Sequence, residues 1–206
     1  VVKMDFEKIR KIAKEHMDKN DVMHGWDHVL RVKNLCMKIG EKERANLEVL
    51  ELASLLHDIG IYKGRENHEK TSADMAREIL KDYDEEKKEK IIHCIESHRF
   101  SKGLKSKTLE AKILQDADRI DALGAIGITR AMVHAGFFKR PIYIPEKEIS
   151  QNYSGKSETS IDHFYEKLLK MKDTLNTKTA KEIAEKRHNF MEYFLEEFFE
   201  EWEGKR

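Results

Sequence analysis

The chain has only two cysteines and two prolines, no surplus of either charge, and no apolar run approaching the roughly 20 residues of a membrane span. Cys36 and Cys94 each fall on an apolar helical face without CxxC spacing. That excludes a disulfide framework and predicts free, buried thiols in a reducing compartment. With 39 basic and 39 acidic residues the formal charge is zero, so there is no global attraction for nucleic acid or an anionic membrane. A basic stripe interleaved with aromatic residues is also missing. The opening "VVKMDFEKIRK" lacks the apolar stretch and small-residue cleavage site of a secretory signal. A cytoplasmic protein with neither a nucleic acid nor a membrane as partner is expected, its oligomeric state open.

What the sequence does contain is helical periodicity. Apolar residues recur at spacings of three and four through Phe6, Ile9, Ala13 and Met17, through Val29, Val32, Leu35, Cys36 and Ile39, and through Leu50, Ala53 and Leu56. The pattern resumes at about 69–80, 85–97, 107–135, 161–175 and 177–202, with no period-two alternation between. An all-α fold of one domain, 1–206, is predicted. Breaks are expected at Asn20 and Asp21, Gly40, Gly60 to Gly64, Gly103 with Ser106 as N-cap, and Asn176 with Thr177. Both prolines, Pro141 and Pro145, lie in the one long stretch without helical period, about 138–159. Such a loop is a candidate lid whose Tyr143 and Tyr153 would stack on a base.

Against this background "LLHDIG" stands out, because it sets His57 and Asp58 in the middle of an apolar run. Burying both without partners costs several kcal/mol, roughly, and a divalent cation would satisfy them together. Further ligands are available from His28 in "HGWDHVLRV" and Asp118 in "LQDADRIDALGA", each beside an apolar helical face. A His, a His-Asp pair and a distant Asp form a mixed nitrogen and oxygen site suited to one divalent ion, Mn, Mg, Ni, Co, Fe or Zn. Asp116 is expected to face solvent or cap a neighbour. Asp121, three residues after Asp118, would share its helical face and orient the attacking water. Gly124 and Gly127 are read as points of close helix packing.

"HGWDHVLRV", "LLHDIG" and "DADRIDALGAIGI" in this order resemble the signature of the HD-domain metal-dependent phosphohydrolases. "HEKTSADMAREIL", "IESHRF" and "SIDHFYEKLLKMKDTLNTKTAKEIAEKR" extend the likeness to the compact stand-alone members of bacteria and archaea. The resemblance implies a single-domain HD-type helical bundle with His28, His57, Asp58 and Asp118 as metal ligands. It also implies phosphate contact or proton donation by His68 and His98. His24 is either a helix cap or a residue behind the ligands that also meets substrate, and Lys63 and Arg119 are candidate phosphate cations. No acidic pair follows Asp58 as in alarmone hydrolases, and the Gly-Tyr-Pro element of cyclic dinucleotide phosphodiesterases is missing. The glutamate of the nucleoside monophosphate phosphatases is matched only by Glu66, several residues late. What remains includes nucleoside triphosphate pyrophosphohydrolases, which release monophosphate and pyrophosphate. Alternatives are a nucleotide phosphomonoesterase or phosphodiesterase of the same superfamily, or a non-catalytic, metal-stapled nucleotide-binding module.

Overall fold

The computed structural model describes residues 6–19, 24–99 and 106–206, and among them every regular element is helical. In chain order these are α1 (Phe6–Met17), α2 (Trp26–Glu43), α3 (Leu47–Leu56), a 3-10 turn (Ile61–Lys63), α4 (His68–Ile79), α5 (Glu85–Ser97), α6 (Leu109–Ile120), α7 (Gly124–Phe137), α8 (Ser160–Glu166), a 3-10 stretch (Leu168–Thr174) and α9 (Lys178–Trp202). The all-α expectation holds. Among the described residues no helix is long and apolar enough to cross a membrane. The chain groups into two compact units, Val1–Asp118 and Arg119–Arg206.

In the first unit α3 occupies the centre, with α1, α2, α4 and α5 packed on it. Its Val49, Leu50, Leu52, Ala53, Leu55 and Leu56 are all buried, so most of the helix surface is apolar and must be enclosed, while Glu48 and Glu51 leave one partly exposed strip. Each fully buried leucine contributes about 1.5–3 kcal/mol, which is ample to carry a polar pair at the helix end into the interior. Asn46 Oδ1 accepts from the Val49 amide at 3.2 Å and caps α3, while the Asn46 amide donates to Glu110 Oε1 on α6 at 2.9 Å. Cys36 and Cys94 are buried and free.

Several predicted boundaries shift. Gly40 does not break a helix; it lies inside α2, and an added Cβ would meet Leu50 Cδ1 at 2.5 Å. The glycine instead lets α2 and α3 approach, and α2 ends at Arg44 in the left-handed region, φ 59°. Thr108 rather than Ser106 caps α6, its Oγ1 accepting from the Ala111 amide at 3.1 Å. Asn20, Asp21 and Gly103 lie outside the described residues.

The second unit is built around α9, against which α7 and the second 3-10 stretch pack. The predicted continuous helix over 107–135 is broken between α6 and α7. Gly124 adopts φ +72° at the break, and a Cβ on Gly127 would lie 2.2 Å from the Ala122 carbonyl oxygen. These glycines make a tight turn possible; at Gly124 a Cβ would also meet Arg187 Cγ of α9 at 3.0 Å, so close packing against a neighbouring helix holds there, while Gly127 serves the turn itself. The predicted helix over 161–175 is α8 followed by 3-10 geometry. Residues 138–159 are non-helical as expected, but Tyr143 packs its ring 5.4 Å from both Phe199 and Trp202, in the company of α9.

Candidate metal centre

At the end of α3 the chain turns sharply, with His57 as the C-cap and Asp58 next to it, 0% and 4% exposed. His57 Nδ1 donates to the Ser54 carbonyl at 2.7 Å, which fixes the ring and turns Nε2 inward. There it meets His28 Nε2 at 3.4 Å, from the first turn of α2. Asp58 Oδ2 lies 3.6 Å from His57 Nε2 and 3.7 Å from His28 Nε2. Asp118, in the last turn of α6, brings Oδ1 to 3.4 Å from His28 Nε2 and keeps a third of its side chain exposed.

A second pair of imidazoles faces the other carboxylate oxygen. His68 opens α4, and its Nδ1 donates to the Arg65 carbonyl at 2.9 Å. His98, just past α5, donates from Nδ1 to the Ile95 carbonyl at 2.6 Å. Their Nε2 atoms are 3.3 Å apart and lie 3.3 and 3.5 Å from Asp58 Oδ1. Asp58 is thus common to two groups, His28–His57–Asp58 and Asp58–His68–His98, whose donor atoms lie within 4.8 Å of one another in each.

These donors fit a divalent cation. His57, His68 and His98 all spend Nδ1–H on backbone carbonyls, so in their neutral forms each aims an Nε2 lone pair at the centre. Asp58 Oδ1 is buried and has no hydrogen bond of good geometry despite its two imidazole neighbours. Lone pairs and carboxylate oxygens converging in a dry site call for positive charge between them. The protonation behaviour divides the donors. Burial pushes the His57 imidazole down and keeps it an acceptor. Burial would push Asp58 up, but the imidazoles of His57, His68 and His98 outweigh it and hold the carboxyl well below the usual range. For His98 burial works against protonation, yet Asp58 and Asp118 raise it above the ordinary histidine value.

The remaining candidates are distributed differently. His24 is half-buried beside α2, its Nδ1 accepting from Arg65 Nη2 at 2.9 Å. Lys63 is exposed on the 3-10 turn, 5.9 Å from the centre of the Tyr62 ring. Arg119 belongs to the second unit and is buried, with Nη1 donating to the Thr174 carbonyl, so it does not face solvent. Asp121 also lies in the second unit, past the end of α6 rather than on one helical face with Asp118, and it pairs with Arg130 at 2.7 Å. Asp116 is fully buried, against the expectation of a solvent-facing residue, because residues 113–117 of α6 are enclosed on every side. Arg65, Glu69 and Arg99, which the sequence reading did not select, all border His68; their only signal is that each stands beside, or one turn from, a motif histidine.

The sequence matches the HD domain family over residues 25–123, a span holding both histidine pairs, Asp58 and Asp118. It is 37% identical over 177 residues to the uncharacterized protein YpgQ of Bacillus subtilis, covering 84% of this chain and 81% of that one. The crystal structure of YpgQ in complex with ADP superimposes with a TM-score of 0.76 at 32% identity, over 95% of this chain and 94% of that chain. An HD-superfamily hydrolase from Bacillus thuringiensis is similar at TM-score 0.76 and 36% identity over 96% of both chains. A predicted HD-superfamily hydrolase from an uncultured Thermotogales bacterium reaches TM-score 0.69 at 27% identity, over 95% of this chain and 92% of that one. The ordered His, His-Asp and Asp, their convergence in space and these likenesses agree that the chain belongs to the HD-domain family.

Proposed function

We propose that the protein is a metal-dependent phosphohydrolase that cleaves nucleoside triphosphates to nucleoside monophosphate and pyrophosphate. The observation that carries this reading is the buried Asp58 carboxylate set between two pairs of inward-facing imidazoles, with Asp118 one third exposed at the edge. A nucleotide as ligand is supported by the ADP bound to YpgQ.

His28, His57, Asp58 and Asp118 would hold the cation, which when bound supplies a lowered water pKa and a polarised phosphoryl oxygen. His28 and His57 are locked in place by burial, and the exposed flank of Asp118 marks where water and substrate enter. His68 and His98 present Nε2 atoms on the other side of Asp58, where they meet phosphate oxygens and donate a proton to the departing group.

Chromatographic product analysis after incubating a nucleotide panel with Mn tests the reading, with Asp58→Ala as blank. Monophosphate and pyrophosphate from triphosphates are expected. Orthophosphate from monophosphates, with triphosphates untouched, would move the assignment to a phosphomonoesterase, and binding without turnover would leave a metal-stapled nucleotide sensor.

A further inference from the structure

His68 and His98 stand at the start of α4 and the end of α5, two helices that pack on each other. Their Nε2 atoms are 3.3 Å apart, with Asp58 Oδ1 at 3.3 and 3.5 Å from them. In the neutral forms set by their Nδ1–H bonds, these are three electron-rich atoms crowded into a buried space, where like partial charges push one another apart. An attachment outside the rings must keep them together.

The structure supplies a clasp behind His68. Arg99, the residue after His98, donates from Nη1 to the Arg65 carbonyl at 3.0 Å, and the same oxygen accepts from His68 Nδ1 at 2.9 Å. A carbonyl oxygen carries two lone pairs, so one backbone atom anchors both the imidazole of α4 and the arginine that follows α5. Glu69, the residue after His68, closes the arrangement, its Oε2 lying 3.6 Å from Arg99 Nη1 and 3.8 Å from His68 Nδ1. The Glu69 side chain is 7% exposed and that oxygen has no hydrogen bond of good geometry, so the neighbouring guanidinium compensates a carboxylate kept from water. Each histidine of the pair is thus followed by one member of an ion pair that crosses the same seam.

Another arginine joins these helices, Arg77 of α4 to Glu89 and, at 3.8 Å, to Glu96, but all three side chains are exposed and Arg77 lies about 13 Å further along α4 than His68. Exposed pairs of that kind contribute little. We propose that Glu69 and Arg99 are positioning residues that hold His98 against His68, so that the nucleotide meets two Nε2 atoms already gathered around Asp58 Oδ1. Neither residue touches the reacting atoms; both act through the imidazoles. The proposal rests on the reading of the centre as a nucleotide site and adds what keeps its second histidine pair assembled.

Two measurements test it. In the protein without nucleotide, nitrogen-edited NMR follows exchange of the His68 Nδ1 proton with water: Arg99→Ala should speed it about tenfold or more, Glu69→Gln should act in the same direction, and Arg77→Ala should leave it unchanged. Calorimetric binding of α,β-methylene-ATP, in which carbon replaces the bridging oxygen of the bond to be cut, to the Mn-loaded protein then completes a double-mutant cycle. Arg99→Ala should weaken the analogue about fivefold or more in the unmodified protein and by less than about twofold once His98→Ala is present, because the imidazole it acts through is gone. Arg99→Lys, which keeps the charge opposite Glu69, should restore part of both effects, and the isosteric Glu69→Gln takes the place of Arg99→Ala in the cycle if the latter melts early. Equal weakening on both backgrounds, or proton exchange that neither Arg99→Ala nor Glu69→Gln alters, would overturn the proposal. Accelerated exchange in a protein that binds no analogue keeps the clasp and removes the nucleotide reading, whereas analogue binding that is indifferent to Arg99 removes the clasp and keeps that reading.

Discussion

Asp58 serves two masters at the residue scale: Oδ2 faces His28 and His57, and Oδ1 faces His68 and His98. Asp58→Ala is expected to empty the centre to below about a tenth of an equivalent of metal while far-UV circular dichroism stays helical, because metal affinity depends on every ligand and the α3 core does not. Full occupancy in elemental analysis of the purified variant would remove Asp58 from the ligand set. The same analysis of His98→Ala separates one ion from two: loss of an equivalent assigns His68 and His98 to a second cation, and unchanged stoichiometry leaves them to substrate. His28, His57, Asp58 and Asp118 were legible because polar residues on apolar helical faces are rare and their order is distinctive. The neighbours of His68, Arg65 and Arg99, were not, since in a sequence with 38% charged residues only the folded path of the chain brings these two arginines beside it.

Elements were legible where periodicity is long, and less so at turns. The limits of α1 and α5 agree with the apolar pattern, whereas the break between α6 and α7 escaped it, because Gly124 and Gly127 sit in an otherwise unbroken helical period and only the left-handed φ of Gly124 reveals the turn. Gly60, after the His57-Asp58 pair, has a tighter role. Its amide donates to Ser72 Oγ at 3.0 Å, and an added Cβ would meet the Ser72 amide nitrogen at 2.7 Å and the Thr71 carbonyl carbon at 2.9 Å. Those neighbours are backbone and cannot rotate away. Gly60→Ala should therefore push α4 off the turn, costing about 1–3 kcal/mol in urea denaturation and weakening metal binding with it. Unchanged stability and metal affinity would mean that the turn yields more easily than its contacts imply.

At the scale of the whole molecule, acid should weaken the chain through a group outside the metal centre. His163 accepts or donates a hydrogen bond with Ser157 Oγ at 2.9 Å and lies beneath Tyr153; burial first, and Lys167 second, push it down to about 4 from the ordinary 6.5. The unfolded chain takes up this proton below pH 6.5 and the folded chain only near pH 4, so between these values stability falls as pH falls. The loss is at most about 3 kcal/mol, reduced by solvent at the ring's open edge. Denaturation midpoints measured across that window should slope downward toward acid, and His163→Gln should flatten the slope; a parallel pair of curves would count against the assignment.

Three of the imidazoles share a device. His57, His68 and His98 each give Nδ1–H to the carbonyl three residues earlier, at Ser54, Arg65 and Ile95. Each ring therefore loses its rotational freedom when its own short turn of backbone forms, and not when a cation arrives. The ordering entropy of these rings is spent during folding, so a cation or a phosphate group meeting them would find imidazoles already aimed, with no helix required to change register.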